Sequence, residues 1–200
     1  MTMSVVIPTC GRPTLSRALL SVQNAGVLPQ DEVLVVGDGP QPVAQAICGD
    51  FGSRIPVTYM EGPLTRCWGH AQRNLGMAKA TRKTLMFLDD DDEYTPNAIT
   101  FARKTAQKNP GRIVIGQMQH RSRGVIWKEP KIEIGNVSTQ MYVIPNIKHQ
   151  LGFWVPMQGG DFAFIDDTVN RWSGPWERRI AWWPFVLAVH HPCPEDPERS

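Results

Sequence analysis

The 200-residue chain holds only four cysteines, Cys10, Cys48, Cys67 and Cys193, and none forms a Cys-x-x-Cys pair. A zinc ribbon or a disulfide framework is thereby excluded, and a reducing compartment is the expectation. No apolar run approaches the ~20 residues that cross a bilayer. The start, Met1-Thr-Met-Ser-Val-Val-Ile-Pro8, has no basic prelude and is too short for a signal peptide. A soluble, cytoplasmic protein without a membrane partner is expected. Internal repeats and low-complexity tracts are also missing. With 42% hydrophobic and 20% charged residues, the composition excludes the disordered and fibrous classes. The length suits one domain, residues 1–200.

A net charge of +2 hides one uneven stretch. Between Phe101 and Lys131 lie eight cations (Arg103, Lys104, Lys108, Arg112, Arg121, Arg123, Lys128 and Lys131) against one acid, Glu129. Such a stretch is either a solvated surface or the footprint of an anionic partner.

The first half alternates strand and helix patterns. Strands are expected at Met3–Ile7, Glu32–Val36, Val57–Met60 and Leu85–Leu88. Between them, helices are expected at Thr14–Asn24 (Leu15, Ala18, Leu19 and Val22 inward), Pro42–Asp50 (Val43, Ala46 and Ile47 inward) and Gly69–Ala80 (Leu75 and Ala78 inward). Another helix starts near Pro96 and runs to about Lys108. This order argues for a parallel sheet with helices on both faces. The second half is mixed. A hairpin is expected over Ile113–Gln119 and Val125–Lys128, with strands at Met141–Ile144 and Val186–His190. A helix is expected over Asp161–Trp172 with Phe162, Ile165 and Val169 inward, and a polar tail from Pro192. Residues 1–95 read as one functional half and 96–200 as the other.

In open parallel sheets, ligands sit beyond the carboxyl ends of the strands. Three such ends carry informative residues: Pro8-Thr9-Cys10-Gly11-Arg12-Pro13, Asp38 between two glycines, and the run Asp89-Asp90-Asp91-Asp92. Four successive carboxylates repel one another, so either solvent or a hard divalent cation must compensate them. Oxygen ligands suit Mn²⁺ or Mg²⁺. A cation with only one or two protein carboxylates keeps positions open for diphosphate oxygens. An EF-hand fails, because its sixth and twelfth positions fall on Tyr94 and Thr100. A phosphatase of the Asp-x-Asp-x-Thr type fails at Glu93, and the loop after the first strand is too short for a nucleotidyltransferase.

Four blocks carry a resemblance: Val5 to Pro13, Asp31 to Gly39, Gly69-His-Ala-Gln-Arg-Asn-Leu-Gly76, and Leu85 to Pro96. In order and spacing they resemble a GT-A-fold (Rossmann-like) glycosyltransferase of the family 2 type. That resemblance covers roughly residues 3–100 and thins to Gly159-Gly-Asp161 and His190-His191 beyond them. It implies a sugar nucleotide donor, most readily a UDP-sugar, and transfer with inversion. Pro8, Thr9 and Asp38 would line the base and ribose, Arg73 would face the nucleotide, and Asp89 and Asp90 would border the donor. Asp91 would hold the metal, with His190 or His191 as a C-terminal ligand.

An acceptor hydroxyl is a poor nucleophile, so a carboxylate should remove its proton. Asp161 is the first choice. Its alternative is a plain helix N-cap, and Asp166 and Asp167 compete with it. Trp154 or Trp127 could stack on a sugar or base, whereas Trp182 and Trp183 read as core. The acceptor is a protein, a saccharide or, given Arg121 and Arg123 in the basic stretch, a nucleic acid such as a hydroxymethylated base in viral DNA. The remaining rival is a sugar-nucleotide-binding module without turnover.

Overall fold

Buried apolar runs become the centre of the sheet. The computed structural model describes residues 1–191, so the tail expected from Pro192 lies outside the described residues. Strands β1 (Met3–Thr9), β2 (Glu32–Asp38), β3 (Val57–Gly62) and β4 (Thr84–Phe87) lie parallel in the order β3-β2-β1-β4. Every residue of β1 is buried. That is what a strand covered by helices on both faces requires. The covering helices are α1 (Leu15–Asn24), α2 (Pro42–Phe51) and α3 (His70–Lys79).

The sheet then continues without a break. Antiparallel β8 (Tyr142–Pro145) joins β4 to β6 (Ile113–His120), and β6 pairs in parallel with β9 (Ile180–Val189). Two-residue β5 (Glu93–Tyr94) caps the far edge against β9, and β7 (Gly124–Ile126) forms a hairpin with β6. Helices α4 (Ala98–Lys108), α5 (Gly160–Asn170) and the single turn α6 (Trp176–Arg179) complete the chain. The architecture is α/β: parallel on one side, mixed on the other. Strand β9 starts six residues before the expected one. It therefore includes Trp182 and Trp183, half-buried against Trp127 and Phe185 respectively.

Three helix faces differ from the sequence pattern. Helix α2 buries Ala44, Cys48 and Phe51 and leaves Val43 exposed. Helix α3 buries His70, Gln72, Arg73, Gly76 and Met77, while Ala78 is exposed. Its inward face is polar because it looks onto the strand ends, where Gln72 and Arg73 find partners in Asp38 and Asp89. Gly76 sets the distance: a Cβ there would fall 2.4 Å from Val6 Cγ1, so glycine lets α3 lie directly on β1. In α5, Phe164 takes the buried place expected for Phe162.

The basic stretch is divided by this topology. Strand β6 runs parallel to β1, so Arg112 lies at the end where the strands begin, and Arg121 and Arg123 lie at the end where they finish. Arg103 is spent inside the protein. Its guanidinium bonds both oxygens of buried Asp31 at 3.0 and 2.7 Å, and Asp31 also accepts from the amides of Met3 and Leu28 at 2.8 Å. Removing one partner of a buried pair strands the other charge and costs about 3–5 kcal/mol. Arg103→Met is therefore expected to lower the melting temperature by roughly 6–12 °C, taking the lower figure and a chain of this size. Thermal unfolding followed by circular dichroism checks this; an unchanged midpoint would show that the pair is not needed.

Candidate active site

Leu88 extends β4 by donating its amide to Val6 O at 3.1 Å. The four aspartates that follow divide their work. Asp90 turns inward, accepting from Thr9 Oγ1 at 2.6 Å, Arg12 Nη1 at 2.8 Å and the Cys10 amide at 3.3 Å. Both it and Thr9 are thereby committed to each other and to the loop after β1. Asp92 is also buried, 1% exposed, and accepts from the His191 amide at 3.0 Å beside His190 Nδ1 at 3.1 Å. Asp89 and Asp91 stay partly open.

Oxygens of Asp89, Asp91 and Asp92 lie within 4.8 Å of one another. Burial, then the neighbouring Asp89 and Asp92, push the Asp91 carboxyl up to about 7, although Arg12 opposes the shift. Converging carboxylates under that repulsion fit a hard divalent cation. The set includes the expected Asp91; His190, the other expected ligand, lies beside it, bonded to Asp92 through Nδ1 and lining the same cleft. His191 turns away to Glu93 Oε1 at 2.9 Å.

Three successive residues of α3 tie the surroundings together. Gln72 Nε2 donates to Asp38 Oδ1 at 2.9 Å, Arg73 pairs with Asp89, and Asn74 Oδ1 and Nδ2 clamp the amide and carbonyl of Trp154, each at 2.9 Å. Asp38 also accepts from the amides of Thr65 at 2.6 Å and Arg66 at 2.8 Å, so it pins the loop before α3. These contacts frame a cleft of about 390 Å³. Pro8, Thr9, Asp38, Arg73, Asp89, Asp90, Asp91 and His190 are among the residues that line it.

A second cavity of about 520 Å³ shares Trp68, Arg73 and Asp89 with the cleft and contains Asp161. Gly159, not Asp161, is the N-cap of α5, so Asp161 lies in the first turn. The Ser138 hydroxyl lies 3.1 Å from Asp161 Oδ2 and 2.9 Å from Gln140 Oε1; its single proton serves one at a time. Asp166 is exposed, and Asp167 bonds Arg171 and the Phe153 amide; neither lines either of these two cavities.

The model of glycosyl transferase family 2 matches residues 4–171. The chain belongs to that family. Its fold is similar to that of the crystal structure of TarS from S. aureus, with a TM-score of 0.76 at 17% identity over 98% of this chain and 38% of that one. TarS 1–349 in complex with UDP gives 0.75 at 16% over 98% and 62%. The same segment in complex with UDP-GlcNAc gives 0.75 at 16% over 95% and 58%. The chain thus spans between 38% and 62% of those structures' length. No curated protein matches it. Among the described residues, no helix is long and apolar enough to cross a membrane.

In this family 2 chain some expected residues fall elsewhere. Trp154 is 1% exposed, its ring stacked 4.2 Å from Phe164 and edge-on to Phe87 at 5.7 Å. It offers no face to an acceptor, and the reason is the Asn74 clamp that draws its backbone under α3. Trp127 is buried too, its indole N–H on Gly116 O at 2.7 Å. Arg121 and Arg123 line neither cavity; they stand exposed at the β6–β7 turn, and Arg123 donates to Gly135 O at 3.1 Å. Gln140 escaped sequence reasoning. Its amide bridges Asp89 Oδ2 at 3.0 Å and Asp92, and no motif in Ser138-Thr139-Gln140 signals this.

Proposed function

We propose that the chain transfers a sugar from a nucleotide-sugar donor, a UDP-sugar, to an acceptor hydroxyl with inversion. The observation that carries this is the adjacency of two cavities joined at Arg73 and Asp89: one has the carboxylate group at its wall, the other has Asp161. The complexes of TarS with UDP and UDP-GlcNAc support the choice of donor at the level of fold.

The acceptor oxygen forms a bond to the anomeric carbon while the bond from that carbon to the diphosphate oxygen breaks. The nucleoside diphosphate leaves with the electron pair, and the acceptor proton passes to Asp161. A single displacement needs one base and inverts the anomeric centre. Mn²⁺ or Mg²⁺ bound by Asp89, Asp91 and Asp92 would offset charge growing on the departing diphosphate. Pro8 and Asp38 border the base and ribose. Thr9 and Asp90 act by fixing the loop there. Arg73 holds Asp89 in place.

Calorimetry with UDP in the presence of Mn²⁺, followed by mass spectrometry of a nucleotide-sugar panel, tests the reading. UDP binding and metal-dependent UDP release are expected. UDP binding without release from any donor would favour the non-catalytic module. A folded protein that binds no nucleoside diphosphate would overturn the proposal.

A further inference from the structure

Resting on the transfer reading above, we propose that Gln140 is a positioning residue that serves both halves of the site. Its amide nitrogen holds the metal-binding carboxylates, and its carbonyl oxygen, through Ser138, helps to hold the base Asp161. Topology brings it there. Strand β8 runs antiparallel to β4 with Met86 opposite Val143. Extending that register by three places sets Gln140 level with Asp89. Gln140 sits in the short 3₁₀ turn Thr139–Met141 that leads into β8, and it is 3% exposed.

Chemistry fixes which way the amide points. Nε2 meets Asp89 Oδ2 at 3.0 Å and also Asp92 Oδ2, so both of its N–H groups go to carboxylates. The reversed amide would set its carbonyl oxygen against two anions. Oε1 is therefore left for Ser138, whose hydroxyl lies 2.9 Å away. A donor shared by two carboxylates lowers their repulsion and keeps them converged. Groups that orient ligands in this way tune the affinity of a metal site.

Asp161 is held from the same segment. The Tyr142 hydroxyl donates to the Asp161 carbonyl at 3.0 Å, and the Ser138 hydroxyl lies 3.1 Å from Asp161 Oδ2. Ser138 has one proton for two acceptors. While Asp161 is ionised, the charge-assisted bond to Oδ2 is the stronger one, and Oδ1 is left for the proton of the acceptor. Once Asp161 has taken that proton its charge is gone, and the hydroxyl turns to Gln140 Oε1. Ser138 thus keeps a partner before and after proton transfer. It does so because the metal-side carboxylates lock the Gln140 amide in one orientation.

The test uses the whole chain, Mn²⁺ calorimetry, and the rate of UDP release from the UDP-sugar selected by the panel above. Gln140→Leu is expected to bind Mn²⁺ roughly 10- to 100-fold more weakly, the usual cost of removing a group that orients metal ligands. At saturating Mn²⁺ it should still release UDP about 10-fold more slowly than the wild type. Ser138→Ala should keep the wild-type Mn²⁺ affinity and lose about 10-fold in rate, and Ser138→Thr should restore that rate. The double variant should be no slower at saturating Mn²⁺ than the slower single one, because both changes break one chain of contacts. Wild-type Mn²⁺ binding in Gln140→Leu, a wild-type rate in Ser138→Ala, or rate losses that multiply would overturn the inference. If Gln140→Leu does not fold, Ser138→Ala against Ser138→Thr still decides the link to Asp161. Failure of the donor reading looks different, since the wild type itself then binds no UDP or releases none.

Discussion

Asp91→Ala is expected to reduce sugar transfer by about 10³-fold or more while the fold stays intact. Of the three converging carboxylates, Asp91 is less open than Asp89 but lacks its close ion pair; Arg12 stands 3.4 Å from the Asp91 carboxylate. Burial and like charge already hold its carboxyl up to about 7. Compensation by a divalent ion is worth several kcal/mol where diphosphate charge develops. Mn²⁺ titration by calorimetry should show lost or much weakened binding in the variant, alongside the lost rate. Deleting one of three mutually repelling carboxylates should not harm the metal-free fold, so the variant should melt no lower than the wild type. Asp90→Ala should behave differently, because Asp90 anchors Thr9, Cys10 and Arg12; its melting temperature is expected to drop. Full transfer in excess EDTA, or wild-type Mn²⁺ affinity in Asp91→Ala, would remove the metal from the scheme.

Asp161→Asn is expected to retain UDP binding and lose transfer by ~10²- to 10⁴-fold, the range for removing a general base. Asparagine keeps an oxygen for the Ser138 hydroxyl, so the local structure has little reason to change. Asp166→Asn and Asp167→Asn should transfer at nearly the wild-type rate, since neither residue lines either of the two adjoining cavities. NMR of the product linkage should show an inverted anomer. A retained anomer would point to a covalent intermediate and a second carboxylate. A nearly wild-type rate in Asp161→Asn would assign proton removal elsewhere.

Much of the fold over residues 1–95 was legible because buried parallel strands leave continuous apolar runs and stop at turn residues. The runs ending at Pro8, at Gly37-Asp38-Gly39 and at Asp89 are such signals, and the four α1 residues Leu15, Ala18, Leu19 and Val22 are all buried. The inward faces of α2 and α3 were harder. Weak amphipathicity allows a rotation in α2. In α3 the buried residues are polar, so a rule that counts apolar spacing points the wrong way.

Sequence alone therefore determined the parallel half of the sheet and the location of the acidic run, since local spacing and strand burial encode both, and four motif blocks carried the family resemblance. Only tertiary structure decided what each aspartate does. Four identical side chains in succession carry no information about partners, and those partners are distant: Thr9 is 81 residues from Asp90, and His190 is 98 from Asp92. The same holds for the basic stretch. Charges counted along the chain look like one patch, but strand β6 carries Arg112 and Arg121 to opposite ends of the sheet. By sequence Trp154 could stack on a sugar or base; in the fold Asn74, 80 residues earlier, binds its backbone and the ring is buried. Contacts between residues so far apart depend on how the strands are ordered, and that ordering is a property of the folded sheet.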